Sequence, residues 1–169
     1  MTRVGVVSDT HGLLRPEAIA ALRGCDHLIH AGDIGPRAVL EALAALAPLT
    51  AIRGNNDRDD WARAWPETAT LQFEGVRLHV LHDLACLALD TRAEGIDVVV
   101  AGHSHRPSIE WRDGVLHLNP GSAGPRRFRL PVTLAHLEID GNQAAARIVA
   151  LEPLTRDAVS RPANARRCS

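Results

Sequence analysis

The sequence contains no lysine, so all nineteen of its basic residues are arginine. That excludes a lysine nucleophile and Schiff-base chemistry, and with them whole classes of covalent catalysis. Cysteine is scarce as well. Cys25, Cys86 and Cys168 are odd in number, widely spaced and without a Cys-x-x-Cys pair, which argues against a disulfide framework or a zinc ribbon and fits a reducing compartment. Excess charge is missing too: a net charge of −1 and a pI near 6.7 give no global field to hold nucleic acid or an anionic membrane. Recognition must therefore be built at a site. No apolar run approaches membrane-spanning length, and "RVGVVS" enters a strand at once without room for a charged leader. A soluble, cytoplasmic protein is expected, with no membrane partner and no nucleic-acid patch.

A chain of 169 residues is the size of one domain and can bury most of its apolar surface. Residues 1–155 are expected to form that domain. Residues 156–169 belong to "LTRDAVSRPANARRCS", which loses apolar periodicity, and are expected to form a flexible C-terminal tail.

Arg3 to Ser8 is a β-branched run, and Arg15-Pro16-Glu17 opens an Ala/Leu-rich helix with proline in its first turn. "HLIHA" ends at Gly32-Asp33, "RAVLEALAAL" is amphipathic at helical spacing, and "PLTAI" returns to strand before "RGNND". The β-α-β-α-β order favours a parallel sheet with right-handed crossovers. Thr68 to Phe73 and Val76 to Leu81 flank Glu74-Gly75 and predict a hairpin. "LACLALDTRAEG" reads as helix and "DVVVA" as a buried strand. The rest alternates strands with turns at Asp113-Gly114 and Asp140-Gly141. Late hairpins supply strands without crossover helices, so the expected fold is an α/β sandwich of two packed sheets with helices outside.

Metal-competent side chains follow the apolar strands: Asp9 and His11 in "SDTHG", Asp33 in "AGD", Asn55 in "RGNND", His82 in "HVLHD", and His103 and His105 in "AGHSH". The carboxyl ends of parallel strands share one edge, so these residues are expected to converge there. Two carboxylates, four imidazoles and an amide carbonyl make a mixed N/O donor set that suits Mn, Fe, Ni, Co or Zn better than Mg. Seven donors exceed one tetrahedral ion and fit two if a carboxylate bridges, and Asp33, alone at its strand end, is the expected bridge. Each element has a plainer reading as a turn or surface residue, but five strand ends together favour a two-metal site. His27, His30, His79, His117 and His136 lie inside strands and read as structural or solvent-facing. Trp61, Trp65 and Trp111 could frame a substrate mouth, and packing in the core or at an interface is the preferred reading.

From "SDTHG" to "NPGS", the ordered motifs Asp9-x-His11, Gly32-Asp33, Gly54-Asn55, His82 and Gly102-His103-x-His105 resemble the calcineurin-like metallophosphoesterases. The similarity is greatest to their small single-domain bacterial and archaeal phosphodiesterase branch. The resemblance implies a four-layer αββα sandwich of two mixed β-sheets flanked by helices. It implies Asp9, His11, Asp33 and His105 at a first divalent ion, most readily Mn²⁺, and Asp33, Asn55, His82 and His103 at a second. It implies a hydroxide bridging the two ions that attacks a small phosphate ester, with Asp33, Asn55 and His103 acting through the metals.

Arg126 or Arg127, after "NPGSAG", could hold the substrate phosphate, and a solvated loop charge is an equal reading, as it is for Arg53 and Arg106. Larger relatives carry a histidine general acid directly after the ligand asparagine, where this chain has Asn56. Relatives usually have glycine where this chain has Asp83, which could hydrogen-bond a ligand or crowd a metal. A phosphomonoesterase, or a non-catalytic protein-binding scaffold like the retromer subunit of this fold, are the alternative readings. The branch implies dimers or larger homo-oligomers.

Overall fold

The computed structural model describes residues 1–151; the expected domain end at 155, the expected tail and Cys168 lie outside the described residues. Ten strands and two α-helices run in the order β1 (Thr2–Val7), α1 (Pro16–Leu22), β2 (His27–His30), α2 (Ala38–Ala44), β3 (Leu49–Ala51), β4 (Thr68–Phe73), β5 (Val76–Leu81), β6 (Val98–Val100), β7 (Ser108–Arg112), β8 (Val115–Asn119), β9 (Thr133–Asp140) and β10 (Gln143–Ala150). They form two mixed five-stranded sheets, β10-β9-β1-β2-β3 and β4-β5-β6-β8-β7. Each has three parallel strands, β1-β2-β3 in one and β5-β6-β8 in the other, with antiparallel strands on one side of the first set and on both sides of the second.

Strand periodicity determines what each face meets. Val4, Val6, Ile29 and Ile52 of the first sheet pack between the layers against Leu78, Val80, Val98, Val100, Leu116 and Leu118 of the second. Val7 and Leu28 point the other way, onto Ala18 and Leu22 of α1 and Val39, Leu40 and Leu43 of α2. The expected α/β sandwich is therefore the observed fold.

One layer differs from expectation. "LACLALDTRAEG" is not an α-helix: it forms a 3₁₀ turn, Leu84–Cys86, and then irregular turns. Leu84, Leu87 and Leu89 pack on Leu81, Ile96 and Val99, but steps of three and then two cannot stay on one α-helical face. Asp83 and Asp90 also divert the chain, accepting backbone N–H bonds from Ala85 and from Arg92 and Ala93, a local competition with helix that aspartate offers.

Trp61 and Trp65 pack on the helical side of the first sheet, in the expected role. Trp111, on the edge strand β7 of the second sheet, is 63% exposed and takes no part in the core. Among the described residues, no helix is long and apolar enough to cross a membrane.

Candidate metal centre

The parallel strands of both sheets present their carboxyl ends at the same edge, and the loops there carry the seven candidate ligands. Asp9 and His11 follow β1, Asp33 follows β2, Asn55 follows β3, His82 follows β5, and His103 and His105 follow β6. Five of these residues, Asp9, His11, Asp33, His103 and His105, have positive φ between 43° and 66°. That is the left-handed region, uncommon outside glycine and costly for histidine. The turns are held by close approach: a Cβ on Gly54 would collide with the Asp33 carboxylate, and one on Gly102 with Ser8 and Asp9.

Five of the seven side chains come together at once. The Asp9 Oδ1 atom stands 3.3 Å from His105 Nε2, 3.8 Å from His82 Nε2 and 3.9 Å from His11 Nε2. Asp33 Oδ2 stands 3.4 Å from His82 Nε2 and 3.8 Å from His11 Nε2. His11 and His105 bring their Nε2 atoms within 3.4 Å. Asp9, His11 and His105 form one group able to hold an ion, and Asp9, Asp33 and His82 another. Asp9 is common to both, so Asp9 as well as Asp33 stands between the imidazoles. Beside this cluster stand Asn55 and His103, the latter in neither group. They form a pair, with His103 Nδ1 3.1 Å from Asn55 Oδ1, and the His103 ring lies 5.2 Å from that of His82.

Several of these atoms lack the partners that burial demands. Asp9 Oδ1, His82 Nε2 and His105 Nδ1 are buried without a hydrogen bond, an expensive condition unless a cation is held. His82 Nδ1 lies 2.7 Å from the carbonyl of Ala31, so Nδ1 carries the proton and the Nε2 lone pair faces the Asp33 and Asp9 oxygens. A second proton or a metal ion resolves that arrangement. Burial opposes a charged His82 ring, yet the Asp33 carboxylate and the Ala31 carbonyl carry its pKa above the ordinary value. Burial likewise raises the pKa of Asp9. Burial would raise that of Asp33 as well, but the His82 ring and the donors of Asn56 outweigh it and hold the carboxyl below the usual carboxylate range. The donor chemistry and the orphaned atoms fit divalent ions.

The neighbours of the ligands divide into those the sequence points to and those it does not. Asp57 orients its turn, its Oδ1 accepting from the Ile34 N–H and its Oδ2 from the Gly54 N–H. Asp83 accepts from the Ala85 N–H and places its other oxygen 3.7 Å from His103 Nε2, beside a candidate ligand. Asn56 is a finding: its backbone and side-chain N–H groups donate to the two oxygens of Asp33 at 2.9 and 2.7 Å.

Sequence reading also misses Ser8, whose hydroxyl donates to Asp9 Oδ2, and Ser122, whose hydroxyl donates to the Asp9 carbonyl. It misses Asn119, whose amide donates to the Gly102 carbonyl. A side chain one step from a ligand, or in the "NPGS" loop, is the only signal for them. The charge of Arg127 reaches His105, while nothing comparable places Arg126.

A sandwich of two mixed sheets that gathers carboxylates and imidazoles at one edge defines an α/β protein with a metal-competent site. The sequence model of the calcineurin-like phosphoesterase superfamily domain matches residues 2–142, and the chain belongs to that superfamily, a group of hydrolases. It is 33% identical over 158 residues to a probable metallophosphoesterase of Methanothermobacter thermautotrophicus, covering 86% of this chain and 91% of that one. It is 31% identical over 170 residues to the phosphodiesterase YfcE of Escherichia coli, covering 83% and 89%. Among solved structures, Vps29 of Chaetomium thermophilum superposes with a TM-score of 0.72 at 16% identity, over 90% of this chain and 98% of that one. That last likeness is one of fold.

Proposed function

We propose that the protein is a phosphodiesterase that works with two divalent metal ions, Mn²⁺ foremost and Zn²⁺, Fe²⁺, Ni²⁺ or Co²⁺ as alternatives. Asp9, His11, Asp33 and His105 hold the first and Asp33, Asn55, His82 and His103 the second. The observation that carries this reading is His82, whose Nε2 is buried without a hydrogen bond and faces two carboxylates. Relatives named as phosphodiesterases support the reaction.

Ions bound there supply Lewis acidity to a phosphoryl oxygen and lower the pKa of water. The chain's own residues do the rest. Ala31 fixes the His82 tautomer, a familiar partner for a ligating histidine. Asn56 holds Asp33 ionised and oriented. Arg127, or Arg126 beside it, meets the substrate phosphate. Asn56 carries no transferable proton, so the departing oxygen takes its proton from solvent and good leaving groups are favoured.

The test starts from chelated protein. Mn²⁺ should restore hydrolysis of bis-p-nitrophenyl phosphate in preference to p-nitrophenyl phosphate, and Asp33→Asn should lower it by on the order of 10²–10³-fold, as loss of several kcal/mol of charge stabilisation requires. Preference for the monoester would make this a phosphomonoesterase. Hydrolysis of neither ester would overturn the enzyme reading in favour of a scaffold, and undiminished activity in Asp33→Asn would overturn the site.

A further inference from the structure

Next to the metal centre the loop 125–130 presents Phe128 almost wholly to solvent, 89% exposed. Its φ is +54°, a left-handed conformation that is uncommon and strained for a bulky non-glycine residue. The Leu130 N–H closes the turn onto the Arg127 carbonyl at 3.3 Å, with Phe128 at its tip. No contact within the described residues explains either the exposure or the backbone. Arg126, Arg127 and Arg129 flank Phe128 in sequence, and among the described residues none of the three makes an ion pair or a side-chain hydrogen bond. The chain contains no acid between Asp113 and Glu138.

This loop is fastened to the site. Just before it, the Ala123 N–H donates to the Ser8 carbonyl at 3.1 Å. Ser122 Oγ donates to the Asp9 carbonyl at 2.9 Å and Arg15 Nε to the Gly124 carbonyl at 3.2 Å. Gly124 lies so close to Asp9 and Thr10 that a Cβ there would strike their carbonyls. The arm therefore starts at the backbone of a ligand.

We infer that this loop recognises the organic group of the ester: Phe128 stacks on a nucleobase while the arginines beside it hold phosphate, so the substrate is a nucleobase-bearing phosphodiester of about dinucleotide size. The inference rests on the phosphodiesterase reading above. One guanidinium fork suffices for the reacting phosphate, and three unpaired ones leave charge for a flanking phosphate. An exposed ring flanked in sequence by arginines offers a stacking face for bases. The small net charge, −1, supplies no track for a long polymer. Hydrolysis places the oxygen of water on phosphorus, breaks one P–O ester bond and returns a proton to the departing oxygen.

The test uses the full chain with Mn²⁺ and two esters sharing one leaving group, thymidine 5′-(p-nitrophenyl phosphate) and methyl p-nitrophenyl phosphate. The thymidine ester should be preferred on the order of 10-fold or more in kcat/KM, the range that stacking of one base supports. Phe128→Ala should remove most of that preference, and Phe128→Trp should keep it. In chelated protein, anisotropy of a fluorescein-labelled thymidine dinucleotide should show the same order of affinities, independent of turnover.

Equal losses on both esters, or a preference untouched by Phe128→Ala, would overturn the inference. So would a change in sedimentation of the variant without a change in preference, which would make Phe128 a contact between copies of the chain. If neither ester is hydrolysed, the phosphodiesterase reading fails and the anisotropy series still decides the loop.

Discussion

The two edges of the sandwich use the same side chain in opposite ways. At the edge where the parallel strands begin, Asp26 precedes β2 and accepts the Arg3 N–H of β1 at 2.8 Å, while its own N–H returns to the Arg3 carbonyl. Asp97 repeats this in the second sheet, preceding β6 and exchanging both bonds with Arg77 of β5. At the edge where the strands end, Asp9 leaves one oxygen without a hydrogen bond, and Asp33 turns its oxygens toward Asn56 and His82. A carboxylate closed by the adjacent backbone holds strands in register. One left open among side chains from several strands holds something else.

The largest way to break this contrast is at Asn55 and Asn56, neighbours with different tasks. Asn55→Ala should lower Mn²⁺-dependent hydrolysis on the order of 10²-fold as a lost ligand, and Asn56→Ala no more than about 10-fold, as a lost partner of a ligand. Equal losses in steady-state kinetics would erase the division between them.

Acid offers a second, smaller test at the same edge. His30 is buried, accepts the Gly32 N–H on Nδ1 and meets Thr10 Oγ1 with Nε2 at 2.9 Å. Burial lowers its pKa from 6.5 to about 3, so the folded ring stays neutral where the unfolded one is protonated. Stability from this group is complete above about pH 6.5 and falls by about 1.4 kcal/mol per pH unit toward pH 3. Urea titrations at pH 7 and pH 5 should show the native protein losing about 2 kcal/mol more than His30→Gln over that interval. Parallel losses would remove His30 from the account.

The smallest effect belongs to the opposite edge. Asp97→Ala should cost about 1 kcal/mol of stability, as a lost hydrogen bond of an exposed carboxylate does, and leave kcat/KM per folded molecule unchanged. An activity loss there would show that the two edges are not independent.

The strand ends are legible in the sequence because apolar runs stop abruptly at Asp9, Asp33, Asn55, His82 and His103, and parallel topology then fixes a common edge. His105, two residues past His103, comes with it. The bond from Asn56 to Asp33 is not legible, since it joins two loops whose approach depends on Gly54. The thin layer at 84–95 is legible only in its spacing, which forbids the helix that its apolar composition suggests. His30, inside its strand, reads as structural or solvent-facing in the sequence and is buried with its two nitrogens taken by Gly32 and Thr10, partners that no periodicity reveals.

The left-handed backbone at Asp9, His11, Asp33, His103 and His105 also bears on what the site costs the fold. Glycine, and to a lesser degree asparagine, sits there with less strain than histidine. With no ion to hold, replacing His103, the exposed histidine of this set, by glycine or asparagine would relieve that strain. Its presence therefore carries a conformational cost that the proposed metal site would offset.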